Sequence, residues 1–156
     1  MRLTLRTNLA MRTLMFCAVN DGRTVRKAEV ARACNASENH LAHVIVLLGQ
    51  QGVIRTTRGR NGGLRLARPP GEIDIGAVIR ALESSVPFAE CFEGAENHCP
   101  IAEHCRLRGV LGRAVEAFYA ALDGIALSEL TTANPGLSAV LGLGTAPGAR
   151  ELPRLC

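Results

Sequence analysis

The first third of the chain places its apolar residues with the period of an α-helix. A helix is predicted over Thr4–Val19, and a second, shorter one near RKAEVARA (residues 26–33). The clearest pattern is in ASENHLAHVIVLLGQQG (residues 36–52), where Ser37 can cap a helix that Gly52 ends. Its apolar residues fall at i, i+3, i+4 and i+7, namely Leu41, Val44, Ile45 and Leu48.

After residue 52 the period changes from helical to two. VIRTT (residues 53–57) and GLRLA (residues 63–67) are typical of short strands, and the RGRNGG between them can form a tight turn. We expect this turn to take its positive-φ positions from Gly59, Asn61, Gly62 and Gly63. Three short helices followed by an arginine-tipped hairpin predict a mainly α fold of the winged helix-turn-helix type, with the hairpin as the wing.

The second half of the chain predicts two further helices and an irregular segment between them. Asp74 can cap a helix that runs to Glu83, and the stretch ECFEGAENHCPIAEHCRL (residues 90–107), here called the cysteine segment, reads as a loop. Beyond it, apolar residues with an average spacing of 3.5 predict a helix that packs lengthwise on a partner or on its own domain: Leu107, Leu111, Ala114, Phe118, Ala121 and Ile125.

These patterns divide the chain into four parts. We expect a winged helix-turn-helix region over residues 1–70, and a linking helix with the part of the cysteine segment before Cys105 over 71–104. A dimerisation helix should occupy residues 105–131. Gly, Pro, Ala and Ser then dominate, so residues 132–156 are expected to form a disordered tail.

Charge separates the two halves of the chain. Residues 1–70 carry twelve Arg or Lys against three acidic residues, a formal charge of +9, whereas residues 71–156 carry six against eleven, which is −5. A half this basic favours a polyanion partner, with a solvated arginine-rich face as the alternative. We expect Ser37, Asn39, His40 and His43 to reach bases and Lys27 to contact a phosphate. The wing residues expected on DNA backbone or minor groove are Arg58, Gly59, Arg60, Asn61, Gly62 and Gly63.

No signal peptide or membrane span is indicated near the N-terminus, so we expect a cytoplasmic protein. In a reducing compartment, cysteines favour metal binding or thiol chemistry over disulfides. The cysteine segment holds Cys91, Cys99 and Cys105 in a polar setting, and three readings stay open: an iron–sulfur cluster, a zinc site completed by His98 or His104, or free thiols. No nucleophile constellation or nucleotide-binding glycine loop indicates an enzyme, although electron transfer through a cluster remains an alternative.

The same residues carry a resemblance. The stretch SENHLAHVIVLLGQQGVIRTTRGRNGGLRLARPPGEIDIGAVIRALE, together with ECF and CPIAEHCRLRGVLGRAVEAFYAALD, resembles the NsrR family of nitric-oxide-sensing repressors. That family is one of the bacterial winged-helix iron–sulfur regulators, which also include IscR and RirA. The similarity covers about residues 1–131, and Arg108 stands where an IscR-like chain is expected to have histidine.

The resemblance implies a homodimeric repressor that binds a palindromic operator. Cys91, Cys99 and Cys105 would ligate an iron–sulfur cluster, [4Fe-4S] in preference to [2Fe-2S], and nitric oxide would attack it and release the DNA. The position of the family's acidic ligand from the other subunit is here occupied by Asn8. An iron- or redox-responsive regulator of RirA or IscR type is the alternative function, and the helix from Asp74 to Glu83 is the expected link between the cluster and the wing.

Overall fold

The computed structural model describes residues 3–60, 62–92 and 97–143. Within these ranges the chain forms seven α-helices and one antiparallel hairpin. Their order is α1 (Leu5–Val19), α2 (Lys27–Ala33), α3 (Glu38–Gln50), β1 (Ile54–Thr57), β2 (Gly63–Leu66), α4 (Ile75–Glu83), α5 (Arg106–Ala120), α6 (Leu127–Thr131) and α7 (Pro135–Leu141). The predicted mainly α fold with a β-hairpin wing is confirmed.

Helices α1 and α3 begin at side-chain caps, and the cap of α3 is the one predicted from the sequence. Thr4 accepts a hydrogen bond from the Thr7 amide at the start of α1, and Ser37 accepts one from His40 at the start of α3. Gly52, with φ of 65°, ends the turn that follows α3. Each of these caps satisfies a backbone group that the helix leaves without a partner.

The core lies around α1, which contacts α2, α3, α4, α6, α7 and the wing. Leu14 and Phe16 are fully buried in its centre, and the four apolar residues predicted for α3 are all buried. Each such side chain contributes about 1.5–3 kcal/mol when it is removed from water, so α3 is held by one face. Its opposite face is left exposed.

The wing is tied to the turn between α1 and α2. In the hairpin, Ile54 lies opposite Leu66 and Thr57 opposite Gly63. A short bridge joins Val25 to Leu64, in which each amide donates to the other residue's carbonyl over 2.8–2.9 Å. Because Val25 and Leu64 are both buried, this bridge closes the core beneath the wing.

The turn of the wing differs from the prediction at two glycines. Gly59 has the expected positive φ of 104°, but Gly62 and Gly63 do not, and Asn61 lies outside the described residues. Glycine is required at these two positions because a larger residue would not fit. A Cβ on Gly62 would come within 2.4 Å of the Thr57 carbonyl oxygen, and one on Gly63 within 2.4 Å of the Val25 carbonyl oxygen.

The predicted dimerisation helix over residues 105–131 is two helices rather than one. After α5 the chain turns at Gly124, whose φ is 79°. It then runs beside the residues before α4, since Ile75 N–H donates to Ile125 O and Leu127 N–H donates to Ile73 O, both over 2.9 Å. The periodicity continued to Ile125 only because this residue is also apolar; it packs against the core beyond the end of α5.

The expectation of a disordered tail from residue 132 is wrong for residues 132–143, while residues 144–156 lie outside the described part. Residues 135–141 form α7, which packs against α1. The buried Asn20 side chain holds its end by donating to Leu141 O over 2.9 Å and accepting from Leu143 N–H over 2.8 Å. A Gly- and Pro-rich composition hid this helix because its stability comes from a clamp supplied by a distant residue.

Candidate nucleic-acid interface and cysteine segment

The exposed face of α3 carries the residues predicted to read bases. Ser37, Asn39, His40 and His43 are all exposed, and the Ser37 hydroxyl accepts a hydrogen bond from the His40 amide over 3.2 Å. This cap fixes the first turn, so Asn39 and His43, four residues apart, project from one side of a rigid helix. All three of Asn39, His40 and His43 border a cleft against Leu5 and Leu9 of α1, and His40 also lines a second cleft that reaches Arg12.

Sequence reasoning missed Val46. It continues the line of Asn39 and His43 at i+7, and its side chain is 57 % exposed. An exposed apolar residue on a face built from polar groups can contact the methyl group of thymine in the major groove. The signal was present in the sequence, because Val46 lies off the stripe formed by Leu41, Val44, Ile45 and Leu48.

Lys27 is not a free cation. Its ammonium group lies 3.2 Å from a Glu38 carboxylate oxygen, so it joins the start of α2 to the start of α3. Both side chains remain partly exposed, and a pair of this kind contributes little to stability. A phosphate would therefore compete with Glu38 for Lys27.

The tip of the wing presents arginines to solvent. Arg58, Gly59 and Arg60 are exposed, and in the described ranges neither arginine forms an ion pair. Gly62 and Gly63 are half-buried and serve the backbone approach described above rather than an outward contact. The cationic part of the predicted wing contact thus rests on the two arginines.

The three thiols of the cysteine segment differ from the two cysteines of the core. Cys91, Cys99 and Cys105 are half-buried and free of disulfides. By contrast, burial raises the pKa of Cys17 to about 12, and burial also raises the pKa of Cys34. The core thiols therefore stay protonated at neutral pH and act as small apolar side chains.

The structure defines the backbone around Cys99 and Cys105, but it does not bring the three thiols together at one site. Cys105 directly precedes α5, and a single turn of 3₁₀ helix at Ala102–His104 separates it from Cys99, whose amide donates to Asn97 Oδ1 over 3.2 Å. Over residues 3–60, 62–92 and 97–143, no group of three His, Cys, Asp or Glu side chains is close enough to hold a metal ion. Residues 93–96, between Cys91 and Cys99, lie outside these ranges.

Asn8 lies exposed on the first half of α1. Its neighbours Thr7 and Leu9 are buried, so the Asn8 side chain points away from its own core. His98 and His104, the other neutral ligand candidates, are also exposed.

The C-terminal end of α4 is joined to the start of α1. A buried Glu83 carboxylate oxygen accepts hydrogen bonds from the Thr4 amide over 3.0 Å and from the Thr4 hydroxyl over 2.9 Å. In the opposite direction, the Arg6 guanidinium donates to Leu82 O and, over 2.9 Å, to the Ser85 hydroxyl. The helix that leads into the cysteine segment is thus fastened to the helix that packs against α3.

The other face of α4 is joined to α5. The Arg80 guanidinium donates to Glu116 over 3.0 Å and to Asp123 over 2.9 Å, and it lies 4.4 Å from the centre of the Tyr119 ring. These carboxylates raise the pKa of Arg80, and the largest cause is the hydrogen bond that Arg80 donates to Glu116. Sequence reasoning found the α4 helix but not these contacts, since their partners lie 36 and 43 residues away.

Asp74 connects the start of α4 to the turn after α5. One of its oxygens accepts from the Ala77 amide and the other from the Gly124 amide, each over 2.9 Å. The hydrogen bond from Ala77 is the main cause of a pKa for Asp74 below its usual value. One carboxylate therefore serves as a helix cap and as a tether.

The chain is similar to known proteins over most of its length. A protein called aau3 from Rhizobium meliloti is 43 % identical over 143 residues, covering 92 % of this chain and 93 % of that protein. The HTH-type transcriptional repressor NsrR of Streptomyces coelicolor is 41 % identical over 149 residues, covering 94 % and 99 % of the two chains. The solved structure of T. potens IscR has a TM-score of 0.67 at 23 % identity and covers 95 % of this chain and 94 % of that one.

In the described residues no helix is long and apolar enough to cross a membrane. Residues 3–133 match the Rrf2 family, described as iron-dependent transcriptional regulators. The families of the relatives are regulators rather than enzymes, as expected from the sequence. This chain belongs to the Rrf2 family of transcriptional regulators.

Proposed function

We propose that the protein is a homodimeric, DNA-binding repressor that senses nitric oxide through a [4Fe-4S] cluster held by Cys91, Cys99 and Cys105. Intact protein binds a palindromic operator through α3 and the wing, and nitric oxide releases it. The observation that carries the proposal is the position of α4. This helix leads into the cysteine segment, and its side chains are bonded to α1 on one side and to α5 on the other.

The donor set fits an iron–sulfur cluster in kind. Three thiols that are half-buried and unpaired can become thiolate ligands, which iron–sulfur clusters require. Cys105 also lies at the N-terminal end of α5, where the helix dipole favours negative charge. When bound, such a cluster would supply one iron with an exchangeable fourth ligand, accessible to a small reactive molecule. The fourth ligand is open between Asn8 of the other subunit, His98, His104 and water.

The homodimer is supported by the surface of α5. Leu107 and Val110 are 59 % and 50 % exposed, and within α5 only Tyr119 is buried. A helix with this much exposed apolar surface would gain free energy by packing against a copy of itself. Two copies would then present two α3 helices, which a palindrome with half-sites about 34–36 Å apart would match.

DNA release requires that the cluster state and the DNA-reading surface share one conformational equilibrium. The Glu83–Thr4 and Arg6–Leu82 bonds provide that connection, because α1 packs directly on α3. A rearrangement of the cysteine segment would pull on the end of α4 and hence on α1. Helix α3, whose exposed face carries the residues predicted to read bases, would move with α1.

The test combines a spectrum with a binding assay. Anaerobically purified protein should absorb as an iron–sulfur protein and bind operator DNA, and stoichiometric nitric oxide should change the spectrum and release the DNA together. Cys99→Ala should lose both cluster and specific binding while staying dimeric. Cys156→Ala, which removes a cysteine far from the segment in sequence, is the matched control and should keep both.

Two results would contradict the proposal. Colourless, zinc-containing protein under anaerobic conditions would replace the cluster with a zinc site. Unaltered iron content in Cys99→Ala would remove Cys99 from the ligand set.

An iron- or redox-responsive regulator of the RirA or IscR type is the second candidate. It is favoured by the description of the family as iron-dependent and by the similarity of fold to IscR. Release of DNA by oxygen or by iron limitation, with no response to stoichiometric nitric oxide, would select it.

A further inference from the structure

A basic cleft lies at the base of the wing, away from the residues assigned to DNA reading. One wall is the turn Asp21–Arg23 between α1 and α2, and the other is formed by Arg55 of β1 and residues 65–69. The cleft has a volume of about 300 Å³. Four arginines line it, namely Arg23, Arg55, Arg65 and Arg68, against the single carboxylate of Asp21.

Two of these arginines are a like-charge pair. Arg55 and Arg65 lie directly opposite each other in the hairpin. Both are exposed, whereas their neighbours Ile54 and Leu64 are buried, so the two guanidinium groups share the outer face of the wing. Like charges in directly opposed positions destabilise a strand pair. An anion between them would remove that cost.

In the described part of the chain, most of this positive charge has no acidic partner. The ion pairs found there involve Arg23, Lys27 and Arg80, and none involves Arg55, Arg65 or Arg68. Arg55 donates only to the Ala67 carbonyl oxygen, over 3.4 Å. Three of the four guanidinium groups are therefore available to a ligand.

The walls of the cleft are held in place. The Val25–Leu64 bridge joins the turn between α1 and α2 to β2, and the Ala67 amide donates to Val53 O over 3.0 Å. A concave site whose backbone is already fixed loses less conformational entropy when a ligand binds.

We propose that the wing-base cleft binds the phosphates of duplex DNA on the outer side of the wing, outside the contacts of α3 and the wing tip. Arg55 lies in β1 three residues before Arg58, which directly follows the strand, so the two are about 10 Å apart along the hairpin. The base arginines therefore continue the charge of the tip, and a repeating polyanion fits such a strip better than a single free anion does. This inference rests on the proposed DNA binding and extends its footprint.

The test measures how affinity for a 40-base-pair duplex of mixed sequence depends on KCl concentration. The double variant Arg55→Gln/Arg65→Gln should lower the slope of log affinity against log salt by about 2, since each phosphate contact contributes about 0.9. At 50 mM KCl its affinity should fall on the order of 100-fold. Arg113→Gln, on the exposed surface of α5, carries the same change in charge per site and should leave the slope unchanged.

Thermal unfolding of the double variant checks its fold, and relief of the like-charge pair predicts that its stability is kept. An unchanged slope in the double variant, or an equal fall in Arg113→Gln, would overturn the inference. A third result would also overturn it: calorimetry shows that inorganic phosphate binds and that this binding requires Arg65, while the salt slope for DNA is unchanged. The cleft would then be a site for a free anion. The proposed function is tested separately. If the wild-type protein binds no DNA, both the proposed function and the cleft inference are refuted. If Arg60→Ala weakens binding while the double variant binds as the wild type does, only the inference about the cleft is refuted.

Discussion

Replacing Glu83 with alanine should destabilise the protein more than any loss of a surface ion pair. Glu83 is 8 % exposed, and one of its oxygens receives hydrogen bonds from the amide and the hydroxyl of Thr4. A hydrogen bond to a charged group contributes about 1.5–3 kcal/mol, and the lower value suits a site at the edge of the core. Two such bonds give an expected loss of about 3 kcal/mol in the free energy of unfolding.

The assay is urea or thermal unfolding at one fixed protein concentration, because dimerisation would otherwise shift the midpoint. For a chain of this length about 3 kcal/mol corresponds to a fall in Tm of roughly 6–12 °C. The matched control is Glu116→Ala, whose side chain is 70 % exposed in its pair with Arg80. That variant should lose less than about 1 kcal/mol.

A double-mutant cycle with Thr4→Ala isolates the bond between the two side chains. We expect a coupling free energy of about 1 kcal/mol, since the hydroxyl bond is lost in either single variant. A loss in Glu83→Ala no larger than that in Glu116→Ala would refute the view that this contact fastens α4 to α1. It would also remove the structural basis for the proposed transmission from the cysteine segment.

Four further predictions concern Gly76, Asn20 and the cysteines. Gly76→Ala should lose about 1–3 kcal/mol in urea unfolding, because its Cβ would lie 2.4 Å from Asp123 Oδ1 and 2.6 Å from the Asp123 amide; a neutral result would mean that the turn moves freely. Asn20→Ala should leave two buried hydrogen bonds unmade at the end of α7, so limited proteolysis should cut near Leu143 at a raised rate, and unchanged cleavage would argue against the clamp. In cluster-free protein at pH 8, iodoacetamide should modify the three cysteine-segment thiols well before Cys17, whose pKa of about 12 leaves little thiolate, and equal rates would contradict its burial. The stability contributed by the neutral Cys17 thiol should be complete below pH 9 and decline as pH rises towards 12, where the unfolded chain already loses its proton.

Local patterns were sufficient for the elements that present the site. Ser37, Asp74 and Gly52 were predicted as helix boundaries and serve as such, because capping depends on neighbours within four residues. The exposed side of α3 followed from the buried side. The choice of Cys91, Cys99 and Cys105 as cluster ligands, and of the α3 and wing residues as DNA contacts, stays a prediction.

The predicted element boundaries were wrong where a local sequence pattern continued beyond the structure that produces it. An average spacing of 3.5 continued from Leu107 to Ile125, yet Gly124 ends the helical region and Asp74 fixes the turn. Residues 135–141 were read as tail from their composition, although Asn20, more than a hundred residues earlier, holds the end of that helix. A pattern within one window cannot report a partner outside it.

By itself the sequence determined helices α1–α4, the start of α5, the hairpin, the separation of basic and acidic halves and the polar setting of three cysteines, since these depend on periodicity, capping and charge. Only the tertiary structure decided which distant groups meet: Glu83 with Thr4, Arg80 with Glu116, and Asn20 with Leu141. Such contacts join segments that are far apart in the chain. Their free energy depends on geometry that composition and spacing do not encode, and two of them fasten α4, the helix before the cysteine segment, to α1 and α5.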